Sequence, residues 1–211
     1  PNDWVRLVGK GDVTYRTYGL WVEPGTGKVM FQQYGGSGAN VYANTTLSTG
    51  TWYHIAATKS GNIRTIYVNG VAEKTESYSG TPHSSTQPLT IGYGTFHTYL
   101  TGKLDEVAIW NKARTQAEIE ASMNTTLSGN ESGLVAYYKM DDGSGTSLAD
   151  SSSNSNTGTL YNMTNADWVD GKVSFSGSSF FNITNVSGHT AENGTTATFK
   201  IALEDGSHFH G

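Results

Sequence analysis

An oxygen-rich segment between residues 141 and 156 carries the residue types that bind metal ions. Its carboxylates and amides alternate with serines and end before a glycine, and the candidate ligands are Asp142, Asp150, Asn154 and Asn156. Calcium prefers several oxygen ligands, and loops of this kind often supply them together with backbone carbonyls. The same side chains also suit a polar turn in which they accept backbone amides. The segment therefore predicts either a calcium site centred on Asp150 or a hydrogen-bonded loop.

Asp105 is a second candidate calcium ligand. In an extended strand it lies on the same face as Val107 and Ile109, so its carboxylate is expected at the edge of a buried face. A buried carboxylate needs a cation or several hydrogen-bond donors. The sequence leaves two partners open: a bound calcium ion, or the amides of a neighbouring loop.

Aromatic side chains in predicted loops are candidates for carbohydrate binding. Aromatic rings stack on the apolar faces of sugars, while nearby polar side chains bind the hydroxyl groups. The candidates are Tyr34, Tyr42, Tyr93, Phe96, His97 and Tyr99, with Trp21 and Tyr78 as further members. The alternative is that such rings fill the interior of the fold, which we expect for Trp52, Tyr67 and Trp110.

Patterns typical of catalysis are absent from the sequence. Retaining glycosidases need two carboxylates close together, whereas a regular strand directs the adjacent Asp105 and Glu106 to opposite faces. Neither a Gly-x-Ser-x-Gly turn nor a phosphate-binding glycine loop occurs. His208 and His210 would share one strand face and could hold a transition metal, although a surface position is the simpler interpretation. The sequence thus favours a non-catalytic protein.

The composition indicates an all-β, turn-rich domain. The chain has 211 residues, 26 of them glycine, and no cysteine, so disulfides and thiolate metal sites are excluded. Only 15% of the residues are charged and the net charge is −5, which argues against nucleic acid as a partner. No apolar run is long enough to span a membrane as a helix. We expect an extracellular or cell-surface location from this profile.

Short β-branched and aromatic runs, separated by glycine, asparagine and serine, predict twelve or more strands. The strongest hairpin signal is Asn69-Gly70, because both central residues of a type I′ turn need positive φ. One segment is helical instead: Thr115 and Glu118 form a capping box ahead of a short helix that ends near Asn124. Together these elements predict a two-sheet antiparallel sandwich or jelly roll with one short helix.

Three stretches resemble the laminin-G-like branch of the concanavalin A-like lectin/glucanase superfamily. They are 51–58 with the hairpin 64–70, then 102–111, and finally 133–145 with 150–160. The resemblance covers residues 1–168 and implies a jelly-roll core, with calcium in an oxygen-rich loop as in many members of the family. The glutamate and aspartate pattern of the glucanase branch does not occur in this chain.

The C-terminal segment resembles the strands that normally open a domain of this family. The relevant stretches are 171–183 and 198–203, so the domain is in a cyclically shifted register. We expect residues 169–211 to complete the same sandwich or that of a neighbour; the alternative is the start of a separate immunoglobulin-like repeat. Strand exchange between copies would give oligomers or filaments.

Two functions follow from these observations. The first is an extracellular adhesion or structural module, a repeat or assembling unit that binds glycans or other surface proteins. The second is a calcium-dependent, lectin-like carbohydrate-binding module. A glycoside hydrolase is the least favoured alternative. From the lack of a signal peptide at Pro1 and the shifted register, we expect a processed chain or an excised unit.

Overall fold

The computed structural model describes residues 3–12, 16–38, 40–94, 99–170, 172–176, 178–184, 186 and 195–204. Within them, the strands are β1 (Val5–Lys10), β2 (Tyr18–Val22), β3 (Lys28–Gln32), β4 (Gly36–Ser37), β5 (Val41–Thr46), β6 (Trp52–Ser60), β7 (Ile63–Val68), β8 (Val71–Ser77), β9 (Ser79–Gly80), β10 (Leu89–Ile91), β11 (Thr101–Trp110), β12 (Leu134–Tyr138), β13 (Ser147–Leu148), β14 (Gly158–Tyr161), β15 (Trp168–Val169), β16 (Lys172–Ser176), β17 (Phe180–Ile183) and β18 (Thr195–Leu203). One α-helix, α1 (Gln116–Ser122), and one 3₁₀ turn, Asn165–Asp167, complete the described elements.

The strands form two large antiparallel sheets. The first sheet has the order β13-β14-β17-β10-β1-β2-β3-β5. The second has the order β15-β16-β11-β18-β6-β7-β8, with β12 also paired to β11, and β4 and β9 form a small separate ribbon. The predicted all-β sandwich with one short helix is therefore confirmed.

The main core lies between the two sheets and takes side chains from both. Leu7, Leu20 and Ile91 come from the first sheet, and Ile55, Val107 and Phe199 from the second. Because successive side chains of a strand alternate between its faces, most neighbours of these residues lie on the outer surfaces. Val8 is an exception, because the register of β1 and β2 shifts between Arg6 and Val8, and Val8 stays in the core beside Leu7. Those two outer surfaces carry the polar and aromatic groups that concern function.

Local sequence signals form the connections that were expected of them. Asn69 and Gly70 have φ of 50° and 82° and join β7 to β8 as a two-residue hairpin, as predicted. Helix α1 starts at a complete capping box between Thr115 and Glu118. Its buried residue Ile119 packs on Ala56 and Tyr67, so α1 covers part of the outer face of the second sheet.

The C-terminal strands lie inside both sheets. β17 pairs with β10 and β14 in the first sheet, and β16 pairs with β11 in the second. β18 lies between β11 and β6 and pairs with both along its length. Whether these strands are exchanged between chains in solution stays a prediction. None of the helices in the described part of the chain is long and apolar enough to cross a membrane.

Candidate functional site

Four aromatic rings cluster on the outer face of the first sheet. Phe180 lies at the centre, with its ring centroid 4.7 Å from Tyr93, 6.1 Å from Tyr99 and 4.9 Å from Tyr161. Tyr93 and Tyr99 are themselves 5.1 Å apart and are joined by an isolated β-bridge. The cluster thus combines strands β14 and β17 with the two ends of the segment after β10.

A groove of about 250 Å³ runs beside these rings. We call it the aromatic groove, and its lining residues are Arg6, Gly11, Asp12, Gln87, Pro88, Thr90, Tyr93, Phe180 and Asn182. It combines an apolar aromatic wall with hydroxyl, amide and carboxylate groups. Binding sites for small polar ligands have this composition: apolar surface with a few polar groups that fix the orientation.

Asn182 lines the groove and has an unsatisfied acceptor in its side chain. Its side-chain oxygen is buried, yet it accepts no hydrogen bond from the protein. Thr90, which is paired directly with Asn182 across β10 and β17, donates instead to the carbonyls of Gly9 and Tyr93. A buried acceptor without a partner costs free energy, and a ligand hydroxyl that donates to it would remove that cost.

Two glycines leave space for the side chains of Arg6 and Trp21 on the outer face of the first sheet. We call this layer the floor of the groove. Gly9 and Gly19 are paired across β1 and β2, and a Cβ on either would clash with the side chain above it, Arg6 or Trp21 respectively. The guanidinium of Arg6 therefore lies against the sheet, where it donates to the carbonyls of Gly11 at 2.8 Å and Tyr18 at 3.2 Å.

The charge on Arg6 is buried in this arrangement. Burial first, and the guanidinium of Arg16 second, lower the pKa of Arg6 to about 9, so the side chain stays protonated at neutral pH. Trp21 lies 5.4 Å from the Arg6 guanidinium and 4.8 Å from that of Arg16, and its ring stabilises both cations. Arg6, Arg16 and Trp21 thus form a packed layer that carries positive charge.

The predicted sugar-binding aromatics divide into separate groups. Tyr93 lines the aromatic groove, and Tyr99 belongs to the ring cluster beside it. Tyr34 lies instead over Arg16, 4.7 Å from its guanidinium, and Tyr42 lies opposite Met30 near the far edge of the sheet. Tyr78 is buried against Arg64.

Phe96, His97, His208 and His210 lie outside the described residues. Phe180 and Tyr161 were not predicted, because they join the cluster only through the long-range pairing of β14 and β17.

The oxygen-rich segment forms a tightly hydrogen-bonded loop around Asp150. The Asp150 carboxylate accepts from the backbone amides of Tyr137 at 2.8 Å, Ser152 at 2.8 Å and Asn156 at 2.7 Å, and from the Ser152 hydroxyl at 2.9 Å. These bonds attach the loop to β12. The carboxylate therefore has a structural role that follows from the described contacts alone.

The other predicted calcium ligands of this segment also bind backbone groups. Asn154 and Asn156 both donate their amide nitrogens to the carbonyl of Val135, at 2.9 and 2.8 Å. The Asp142 carboxylate accepts from the amide of Ala149 at 3.3 Å. Among the residues that the structure describes, no group of three or more histidine, aspartate or glutamate side chains converges as metal ligands would. Calcium binding stays a prediction.

Asp105 does not lie where a regular strand would place it. The pairing of β11 with β18 shifts between Asp105 and Ala108, and Glu106 has a φ of 56°, so a β-bulge interrupts the alternation of side chains. Val107 keeps its place in the core, but Asp105 is directed outward to Lys172, with 3.6 Å between Nζ and the carboxylate. The expectation that Asp105 shares a face with Val107 and Ile109 was wrong for this reason.

The bulge also brings Glu106 to the outer face, where its carboxylate accepts a hydrogen bond from the hydroxyl of Tyr137. Asp105 and Glu106 were expected on opposite faces and instead lie on the same one. Burial raises the pKa of both carboxyl groups, and the charge of Asp105 raises that of Glu106 further. Each carboxylate has a partner in the protein.

Trp52 was expected in the interior but is exposed. It begins β6 on the outer face of the second sheet, and 39% of its surface is accessible. Trp110 and Tyr67 are buried as expected, although they lie beneath α1 and the segment after it rather than between the sheets. The alternation along β6 places Trp52 outward, since Ile55 and Ala57 of the same strand occupy the core.

The fold agrees with what comparison with known proteins finds. The family model described as "Concanavalin A-like lectin/glucanases superfamily" matches residues 1–120, which is more than half of the chain. The protein therefore belongs to this family, and the predicted laminin-G-like resemblance is confirmed.

Two individual proteins are similar to parts of this chain. Pappalysin-1 of Mus musculus is 35% identical over 81 residues, which are 36% of this chain and 5% of that protein. A crystal structure of a candidate carbohydrate-binding protein from Bacteroides ovatus superposes with a TM-score of 0.58 at 22% identity. That match covers 96% of this chain and 50% of the other, and at this identity it shows the fold alone.

Proposed function

We propose that this domain is a non-catalytic glycan-binding module and that the aromatic groove is its sugar site. The observation that carries the proposal is the stack of Tyr161 on Phe180, with 4.9 Å between ring centroids and 7° between planes. Tyr161 is 44% exposed, so the stack presents a flat apolar surface to solvent. Such a surface matches the apolar face of a pyranose ring.

Polar groups of the groove would orient the bound sugar. The unpartnered oxygen of Asn182 accepts from one sugar hydroxyl, and Thr90 and Gln87 line the same space. The buried cation of Arg6 beneath them makes the floor a favourable place for sugar oxygens. This arrangement serves a neutral sugar, because Asp12 also lines the groove and disfavours an anionic one.

We propose a non-catalytic module because the two adjacent carboxylates on the outer face of the second sheet are both bound by other side chains of the protein. Asp105 pairs with Lys172, and Glu106 accepts from Tyr137. A retaining glycosidase needs one carboxylate free to attack the sugar and a second free to donate a proton. The aromatic groove lies on the opposite sheet and contains one carboxylate, Asp12, among its described lining residues.

An extracellular or cell-surface location and an adhesion role accompany the glycan-binding proposal. Glycans or other surface proteins are the expected partners. The position of β18, last among the described strands in sequence and yet between β11 and β6, supports the hypothesis of self-association by strand exchange. Light scattering across a concentration series tests it: oligomers support exchange, and a strictly monomeric folded species contradicts it.

A glycan array probed with the labelled domain tests the proposed function. We expect binding to a limited set of glycans, reduced for the Asn182→Ala variant. Parallel arrays with calcium and with excess chelator show whether a metal contributes. Mass spectrometry of bound oligosaccharides after prolonged incubation should find them intact. An array without signal in both conditions would contradict the binding proposal, and shortened oligosaccharides would contradict the non-catalytic part.

A further inference from the structure

The outer face of the second sheet carries a second groove that the proposed function does not use. Helix α1 and the residues after it cover the part of this face around Ala56 and Trp110. The remainder is open, and Trp52 lies at its edge. We call this space the Trp52 groove; it has a volume of about 230 Å³ and is lined by Trp52, Tyr53, His54, Asn69, Met123, Asn124 and Lys200.

Strand register sets the order of the polar side chains along this face. Lys200 of β18 is paired directly with His54 of β6 on one side and with Asp105 of β11 on the other. Directly paired residues of antiparallel strands share a face, so these three side chains form one row. The next row contains Trp52 and Lys103, which flank Ala202 of β18.

Lys200 is the charged residue of the Trp52 groove. The other lysines of this face are paired: Lys172 with Asp105 and Lys103 with Glu204, each at 3.6 Å. No described carboxylate lies within ion-pair distance of Lys200. Asp105 and Glu106 are its acidic neighbours, and they are engaged with Lys172 and the Tyr137 hydroxyl. Lys200 therefore makes no ion pair among the described residues, although its positive charge opposes the rise that burial causes in the pKa of Asp105 and Glu106.

His54 adds a neutral hydrogen-bonding group beside Lys200. Its Nδ1 atom is buried and has no hydrogen-bond partner in the protein. Burial first, and then the positive charges of Lys200 and Arg114, lower the pKa of His54 to about 4, so the imidazole is uncharged at neutral pH. The histidine thus contributes a hydrogen-bonding atom without a second charge.

Trp52 supplies the stacking surface of this groove. Its ring is 39% exposed and lies 5.8 Å from the ammonium of Lys172, a cation–π contact that restrains both side chains. Asn69 uses its side-chain oxygen to accept from the backbone amide of His54 at 2.9 Å, which leaves its amide nitrogen as a donor. An aromatic plane, amide groups and one cation without an ion pair are therefore close together.

We propose that the Trp52 groove binds an acidic sugar residue, with the sugar ring on Trp52 and its carboxylate on Lys200. The groove is smaller than the ~300–1,000 Å³ typical of drug-sized ligands, which suits a single uronic acid ring better than a peptide segment. One cation without an ion pair matches one carboxylate. Asn69 and Asn124 line the same groove, and their amide groups can bind hydroxyls of such a ring.

Titration with uronate oligosaccharides tests this second site. The probes are oligogalacturonate and a glucuronate-containing tetrasaccharide, each compared with its carboxyl-reduced neutral counterpart. Two-dimensional ¹⁵N spectra of the intact domain should show shifts of the Trp52 indole N–H with the acidic probes. We expect Lys200→Gln and Trp52→Ala to weaken binding at least tenfold. Lys74→Gln, at an exposed lysine of β8, is the matched control and should bind like the wild type.

Three results would overturn this inference. They are equal affinity for acidic and carboxyl-reduced probes, shifts confined to the aromatic groove, or equally tight binding of an oligoglutamate peptide. Phe180→Ala distinguishes the two sites, because it should leave uronate binding unchanged while it weakens binding at the aromatic groove. Thermal unfolding of each variant verifies that folding is preserved. These experiments can therefore contradict the uronate site in the Trp52 groove without contradicting the sugar site in the aromatic groove, and they can also do the opposite.

Discussion

Tyr161 and Phe180 stack almost in parallel, with 4.9 Å between ring centroids and 7° between ring planes. The two residues are paired directly across β14 and β17, so strand register alone brings the rings together. A stack in the interior would contribute to the core, but Tyr161 is 44% exposed and leaves one aromatic face in water. An apolar surface of this kind on a folded domain is typical of a ligand site.

Removal of either ring of this stack should weaken glycan binding. We expect Phe180→Ala and Tyr161→Ala each to lower the affinity for an array-identified glycan about two- to tenfold, since an aromatic contact contributes about 0.5–1.5 kcal/mol. Isothermal titration calorimetry measures the loss. Tyr42→Ala is the matched control, because Tyr42 lies on the first sheet opposite Met30, away from the groove. Unchanged affinity in both of these variants would show that the sugar binds elsewhere.

Local signals in the sequence predicted local structure correctly. Asn69-Gly70 forms its hairpin and Thr115 with Glu118 caps α1, because each depends on residues a few positions apart. The aromatic groove was predicted only in part. Tyr93 and Tyr99 are close in sequence, but Phe180 joins them through pairing between β10 and β17, which no local pattern specifies.

The bulge in β11 is the clearest feature that the sequence does not signal. A left-handed residue usually appears as glycine or asparagine, whereas Glu106 adopts a φ of 56° in the middle of a strand. The hydrogen bond from Tyr137 and the pairing with β18 on either side of the bulge hold it there. Long-range contacts thus determine where Asp105 points, and the alternation rule alone gave it the wrong face.

Gly9→Ala should destabilise the domain through Arg6. Alanine normally improves a strand position occupied by glycine, but a Cβ here would collide with the guanidinium of Arg6. We expect a loss of about 1–3 kcal/mol in the free energy of unfolding, the usual cost of overpacking. A double-mutant cycle with Arg6→Ala checks the cause. The cost of Gly9→Ala should shrink in the Arg6→Ala background, and equal costs in both backgrounds would exclude the collision.

Asp150→Asn should destabilise the loop that follows β13. The carboxylate accepts from three backbone amides, and an amide group in its place would direct N–H toward N–H. We expect a loss of about 2 kcal/mol, measured by chemical denaturation in the presence of chelator. Asp141→Asn, at an exposed neighbour, is the control and should have little effect.

Thermal unfolding of the wild type and of Asp150→Asn tests whether this loop binds calcium. A native-state metal ligand stabilises by mass action, so added calcium should raise the melting temperature of the wild type more than that of Asp150→Asn. Identical melting temperatures of the wild type in calcium and in excess chelator would contradict the calcium hypothesis. They would leave the hydrogen-bonding role of Asp150 as the full explanation of its placement.

The free energy of unfolding should depend on the protonation of Glu118 in the acidic range, at pH values below the usual pKa of a glutamate. Hydrogen bonds from the backbone of Thr115 and the side chain of Lys112 lower the pKa of Glu118 from 4.5 to about 2. The unfolded chain therefore takes up a proton at a higher pH than the folded chain does. The stabilisation is complete above pH 4.5 and is lost as the pH falls toward 2.

Glu118→Gln isolates this effect, because glutamine also completes a capping box but does not titrate. Chemical denaturation from pH 7 to 2 should show the wild type more stable at neutral pH, with the difference between the two proteins disappearing as the pH falls toward 2. Lys74→Gln, which alters an exposed ion pair on β8, should leave the acidic part of the profile unchanged. Parallel profiles for wild type and Glu118→Gln would mean that the Glu118 carboxylate titrates alike in the folded and unfolded chain, so that α1 gains nothing from its charge.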